Sequence, residues 1–179
     1  MASLRPARTC RDVDKPAWTR YSKRKPRKSY IKALPHNTMI HFNMGVDKDD
    51  YDVVVRLVSK KPIQIRDNSL ESARMAVHKL LQKEAPNSYK FLIHKYPHQV
   101  IRENKMLTGA GADRLSSGMK RAFGKPKDRA VRITKPGEVL FTVRTYSKYL
   151  GAVKEAYRRA KCKLPGSFSV VVEPISTGG

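Results

Sequence analysis

Apolar positions along the chain fall into two recurring periods. Val53-Val54-Val55-Arg56-Leu57-Val58 is a β-branched run with the composition of a strand. Ile63-Gln64-Ile65-Arg66 alternates apolar and polar residues and predicts a second strand. The period then lengthens. Leu70, Ala73, Val77, Leu80 and Leu81 recur at helical spacing, with Asn68 as candidate N-cap, Glu71 three residues on as in a capping box, and Pro86 closing the helix. Residues 89–96 and 98–103 return to strand patterns. The second half runs in the same order. Residues 139–145 read as a strand, and Ser147 is placed to cap a helix. Its stripe is Leu150, Val153, Tyr157 and Ala160, ended by Pro165-Gly166, and residues 168–172 read as a strand.

Arg66, Ser69, Pro86 and Pro97 match Arg144, Ser147, Pro165 and Pro174 in order and near spacing, which implies a duplicated strand–helix–strand unit. Two amphipathic helices over a sheet predict a two-layer α+β domain. Its expected core is Val53, Val55, Ile65, Leu70, Val77, Leu81, Ile93, Ile133, Leu140, Val143, Val153, Tyr157 and Val171.

Charge changes the picture from fold to partner. The 179 residues carry 38 Lys and Arg against 15 Asp and Glu, a formal net charge of +23. Such an excess repels itself unless a polyanion relieves it, and nucleic acid is the commonest polyanion. A membrane surface would call for a basic amphipathic helix or a lipid anchor, and neither pattern is present. The excess concentrates in residues 1–35, net +9, and residues 96–135, net +7. In the first of these, TRYSKRKPRKSYIK has no helix or strand period and interleaves tyrosines with Lys and Arg, which suits base stacking. It is expected to be extended and to order on a partner. Residues 1–35 are therefore read as a basic N-terminal extension, and residues 36–179 as a single α+β RNA-binding domain.

Residues 100–127, VIRENKMLTGAGADRLSSGMKRAFGKPK, are long for a connection within a compact domain. Glycines 109, 111, 118 and 124 let the backbone approach another surface. A nucleotide-loop reading fails, because no Gly-Lys-Ser/Thr follows and Arg114 stands where a dinucleotide fingerprint requires glycine. None of the five histidines has a metal-ligand spacing, and His94 and His98 are separated by Pro97. Asp47, Asp49, Asp50 and Asp52 lack the turn glycine and closing glutamate of a calcium loop. Cys10 and Cys162 are read as two reduced thiols. No catalytic residue, metal or cofactor is expected. The start MASLRPARTC lacks an apolar signal segment, so the reading is cytoplasmic.

The stretch HQVIRENKMLTGAGADRLSSGMKRAFGKP, with KEAYRRAKCKLPG downstream and LRPARTCR at the start, resembles the universal ribosomal protein L-sixteen family, nearest its archaeal branch, L-ten-e. The resemblance covers nearly the whole chain and implies an α/β hammerhead fold. It further implies a structural, non-enzymatic protein of the large ribosomal subunit that binds large-subunit rRNA, joins late in assembly and helps shape the tRNA-binding sites. Neighbouring large-subunit proteins and tRNA are implied partners, with the chain a monomer within the ribosome and no membrane involved. The loop 102–118 would reach toward tRNA and the peptidyl-transferase centre through Arg102, Asn104, Lys105, Met106, Leu107, Thr108, Gly109, Ala110, Gly111 and Arg114. The implied rRNA contacts are Arg5, Arg8, Arg11, Arg20, Lys23, Arg24, Lys25, Arg27 and Lys28, with Lys120, Arg121 and Lys125 flanking the loop's return. SKRKPRKSY is more basic than the family pattern leads one to expect.

Overall fold

The computed structural model describes residues 4–14, 17–22, 24–106, 109–111, 114 and 116–175, and of Arg20 the backbone alone. Its strands are β1 (Trp18–Arg20), β2 (Asn43–Gly45), β3 (Val53–Ser59), β4 (Ile63–Arg66), β5 (Tyr89–Ile93), β6 (Gln99–Glu103), β7 (Lys125–Ile133), β8 (Val139–Thr145) and β9 (Phe168–Pro174). Its α-helices are α1 (Asp67–Glu84) and α2 (Leu150–Lys161). Two antiparallel sheets result, one in the order β1-β6-β7-β4 and the other β2-β5-β8-β3-β9. This is a mixed α+β fold, as the two periods predict.

The five-stranded sheet follows from alternation. In β3, Val53, Val55 and Leu57 are buried while Val54, Arg56 and Val58 face outward. Pairing of Val55 with Val143 and of Phe91 with Val143 brings the apolar faces of β3, β5 and β8 into register. The helices lie over that face. Tyr157 of α2, fully buried, donates its hydroxyl hydrogen to the Val55 carbonyl at 2.9 Å, so the one polar atom of a large core ring is satisfied. Every expected core residue is buried except Val171, which is 38% exposed. Val171 stands opposite Arg56, on the sheet face turned away from the helices, and Val170 packs against the core instead. A one-residue change of parity exchanges the two faces of a strand.

Neither expected helix cap forms. α1 starts one residue before Asn68, and Asp67 accepts from one first-turn amide, that of Asn68, at 2.9 Å, and from the Thr38 amide, outside the helix, at 3.1 Å. Glu71 is drawn instead to Arg74, which donates to it at 2.8 Å. Ser147 opens a short 3-10 turn before α2 with no side-chain cap, and its amide donates to Asp52 at 3.4 Å. Carboxylates near a helix start serve the same donors and favour the positive end of the dipole.

The strand–helix–strand order occurs twice, as β4–α1–β5 and β8–α2–β9. The copies differ in placement. β8 and β9 both belong to the five-stranded sheet, whereas β4 pairs with β7 in the other sheet. Ahead of and at the start of TRYSKRKPRKSYIK, the N-terminal segment docks on the fold. Cys10, 1% exposed, packs on Ile101 and Ala130, and Gln64 donates to the Arg11 and Cys10 carbonyls at 2.8 and 2.9 Å. β1 closes the edge of β6, pairing Trp18 with Ile101 and Thr19 with Val100. An open edge strand is a template for wrong pairing, and this segment removes it.

Candidate nucleic-acid interface

β1 and the return of the long loop bound a cleft of about 710 Å³, lined by Trp18, Thr19, Arg27, Lys28, Tyr30, Arg102 and Phe123. Three of these are aromatic, three are cationic and none is acidic. A second groove of about 620 Å³ shares Tyr30 and adds Tyr21, Pro26, Ile31 and Lys32. The turn between them is held by local bonds. The Ser22 amide donates to Ser29 Oγ at 2.8 Å, and the Lys25 amide to Ser22 Oγ at 3.1 Å. Arg27 and Lys28 lie on a short 3-10 turn, Pro26–Lys28, with their side chains in solvent. Arginines back two of the rings. The Arg132 guanidinium lies 3.7 Å from the Trp18 ring centre and that of Arg102 lies 4.0 Å from the centre of Phe123, cation–π geometry in both cases.

The long loop rises from the ends of β6 and β7. Its base is tied by three contacts. Asn104 Nδ2 donates to the Gly118 carbonyl at 2.9 Å, Lys127 pairs with Glu103 at 2.8 Å, and Arg102 donates to the Phe123 carbonyl. Burial pushes the Glu103 carboxyl up, but Lys127, Arg5 and Lys105 together outweigh it and hold the group below its ordinary value. Gly124 sits at φ +77, where a Cβ would lie 2.6 Å from Met119 Sδ and 3.0 Å from the Glu103 carbonyl carbon. Only glycine serves both demands. Beyond this base Lys105, Met106, Gly109, Ala110, Gly111 and Arg114 are exposed, and the Arg114 amide donates to the Gly111 carbonyl at 3.0 Å.

The structure sorts the cations that the sequence presents alike. Arg8, Arg11, Arg24, Lys25, Arg27 and Lys28 are exposed, as are Lys120, Arg121 and Lys125. Lys125 is a strand residue, opposite Glu103, rather than part of the loop. Arg5 is set into the fold. Its side chain is 14% exposed, 3.8 Å from Asp128, and donates to the Arg102 carbonyl at 3.3 Å. Lys23, Leu107, Thr108 and the Arg20 side chain lie outside the described residues. Trp18 and Phe123 are the cleft residues that the sequence reading missed. The available signal was a lone tryptophan, and a phenylalanine in a basic glycine loop, that no apolar period accounts for.

Among the described residues no group of three His, Cys, Asp or Glu is placed to hold a metal ion, and no helix is long and apolar enough to cross a membrane. His94 accepts or donates at 2.7 Å to Thr142, and burial, followed by Arg56 and Lys95, pushes its pKa down. That is a satisfied histidine against the sheet.

A small α+β fold with a cationic, aromatic-lined cleft and a basic glycine-rich loop at one edge suits a nucleic-acid partner. The family model described as ribosomal protein L16p/L10e matches residues 17–171. The chain belongs to that family, whose members are structural and non-enzymatic. It is 43% identical to the large ribosomal subunit protein uL16 of Methanococcus aeolicus over 171 residues, covering 95% of this chain and 94% of that one. It is 43% identical to the protein of the same name from Metallosphaera sedula over 174 residues, covering 96% and 95%. With that of Natronomonas pharaonis the identity is 42% over 176 residues, again 96% and 95%. These relatives are archaeal, the branch that the sequence motifs resemble.

Proposed function

We propose that this protein, a structural constituent of the large ribosomal subunit, binds large-subunit rRNA through its N-terminal segment and the aromatic cleft, and extends loop 102–118 toward tRNA near the peptidyl-transferase centre. The observation that carries the reading is the cleft, where exposed rings and cations stand together with no carboxylate among the lining residues. Lys and Arg neutralise phosphates and release counterions, and aromatic rings accept unstacked bases. Arg8, Arg11, Arg24, Lys25, Arg27 and Lys28 supply rRNA contacts, with Lys120, Arg121 and Lys125 beside the loop. Lys23 and Arg20 join them by sequence position. Arg5 acts by holding the segment in place. Residues 1–35 work as the basic extension and residues 36–179 as the domain that presents the loop. The chain acts as a monomer among neighbouring large-subunit proteins, on the cytoplasmic ribosome.

Filter binding of the purified protein to large-subunit rRNA across a salt series tests the first half. Tight binding that falls steeply with salt is expected, and no binding at low salt refutes it. A photo-crosslinker at Ala110 in assembled subunits tests the second half. Crosslinks to tRNA or to peptidyl-transferase rRNA are expected, and crosslinks to neither refute the loop assignment.

A further inference from the structure

The cleft beside β1 holds features that general attraction for phosphate does not require. Tyr30 is 81% exposed and Phe123 46% exposed, large apolar areas to leave in water side by side. Their ring centroids are 6.3 Å apart with planes tilted by 49°, a wedge open to solvent rather than a closed stack. Arg102 stacks on Phe123 at 4.0 Å and Arg132 on Trp18 at 3.7 Å, each guanidinium measured to the ring centre. The wall is polar as well as aromatic. Thr19 is 4% exposed and its Oγ1 has no hydrogen-bond partner, and Arg102 Nε is likewise buried and unpartnered. Buried polar atoms left open in this way call for a partner. Arg27 and Lys28 complete the lining as exposed cations.

We propose that this cleft is a binding slot for one unpaired RNA nucleotide. The base lies in the wedge against Tyr30 and Phe123, its edge completes Thr19 and Arg102, and its phosphates are met by Arg27 and Lys28. A base within a duplex has both faces covered by its neighbours, so the occupant is a bulged, looped or terminal nucleotide. A cationic ligand is repelled by the three cations of the lining, and an aliphatic one leaves the two open polar atoms unmet. The slot rests on the RNA-binding reading above and goes beyond it by naming what the cleft takes.

Trp18 is the chain's single tryptophan and lines the cleft, so its fluorescence reports occupancy. The full-length protein is titrated at low salt with a short single-stranded RNA, and with the same sequence as a duplex. Expected is saturable quenching of Trp18 by the single strand and little by the duplex. Loss of one base–aromatic stack should weaken the single strand about tenfold in Tyr30→Ala. Duplex affinity and salt slope should be unchanged, and Tyr30→Phe should bind as the parent does. Equal quenching by both RNAs, or equal loss of both in Tyr30→Ala, overturns the slot while RNA binding stands. Quenching by adenosine monophosphate as strong as by the single strand overturns the assignment to RNA. Failure of both RNAs to bind overturns the RNA-binding reading itself.

Discussion

Removing the two cations that line the cleft should change the salt dependence of RNA binding and leave the fold alone. Arg27 and Lys28 are exposed and enter none of the ion pairs formed among the described residues. Their turn is closed by main-chain bonds, Lys28 amide to Lys25 carbonyl at 3.0 Å and Ser29 amide to Pro26 carbonyl at 2.9 Å, which alanine preserves. Each phosphate contact on a single strand contributes ~0.7 to the slope of log affinity against log salt, so Arg27→Ala with Lys28→Ala should flatten it by ~1.4. Between about 50 and about 200 mM salt the variant's deficit should then shrink roughly sevenfold. Arg5→Ala is the contrast. Arg5 faces Asp128 and the Arg102 carbonyl from a half-buried site, and its own carbonyl accepts from Arg66 at 3.0 Å. Its loss should destabilise the fold by about 1–3 kcal/mol, the cost of stranding buried partners, with the slope near that of the parent. Filter binding over a salt series reads the slopes, and urea melts read the stability. An unchanged slope in the double variant, or the same flattening in Arg5→Ala, would refute the division into free and built-in cations.

Three other outcomes follow from the geometry. Tyr157→Phe removes the buried bond to the Val55 carbonyl and should cost ~1 kcal/mol, seen as a lower urea midpoint at unchanged m; an unmoved midpoint counts against that bond's role. Burial, then Arg74 and His41, pushes the His78 pKa down, as burial, Arg56 and Lys95 do for His94. Both stay neutral in the fold at pH values where the unfolded chain, titrating near ~6.5, takes up protons. Their contribution is therefore complete above ~6.5 and is lost as pH falls through the folded values. Urea midpoints should drop between about pH 7.5 and about pH 5.5, and drop less in His78→Gln/His94→Gln; an equal drop speaks against both histidines. Finally, replacing residues 106–117 by a short Gly-Ser link should leave the thermal midpoint unchanged, because Asn104–Gly118 and Glu103–Lys127 tie the base below the cut. Translation by subunits carrying it should fail, and a collapsed fold would make the tip part of the core.

Segments with a helical stripe or a β-branched or aromatic run were readable and those without one were not. Both helices carry a stripe, and β3, β4, β5, β6 and β8 carry apolar runs, of which β3 and β5 alternate in burial and β8 is buried on both faces. β1 and β2 are three residues each, too short to show a period. β7 starts inside a run that reads as basic loop, Lys125-Pro126-Lys127, and is a strand because Glu103 and Arg102 pair with it. Val171 was placed in the core on composition, and pairing with β3 turned it outward. In the site, Tyr21, Tyr30 and the surrounding Lys and Arg were legible as a stacking segment. Trp18 and Phe123 were not, because each joins the cleft only after distant parts of the chain meet.

By itself the sequence determined the family, the two amphipathic helices, the strands around them and the concentration of positive charge at the N-terminus and central loop. These are local properties, set by side-chain chemistry within a few turns or residues. The tertiary structure decided what pairing across the chain decides. It docked Cys10 and β1 on the four-stranded sheet, turned Arg5 into a strut while leaving Arg27 and Lys28 free, and drew Trp18, Tyr30, Arg102 and Phe123 into one cleft. No local period encodes such a set, because the β1–β6 and β6–β7 hydrogen bonds that assemble it join residues that are neighbours only in space.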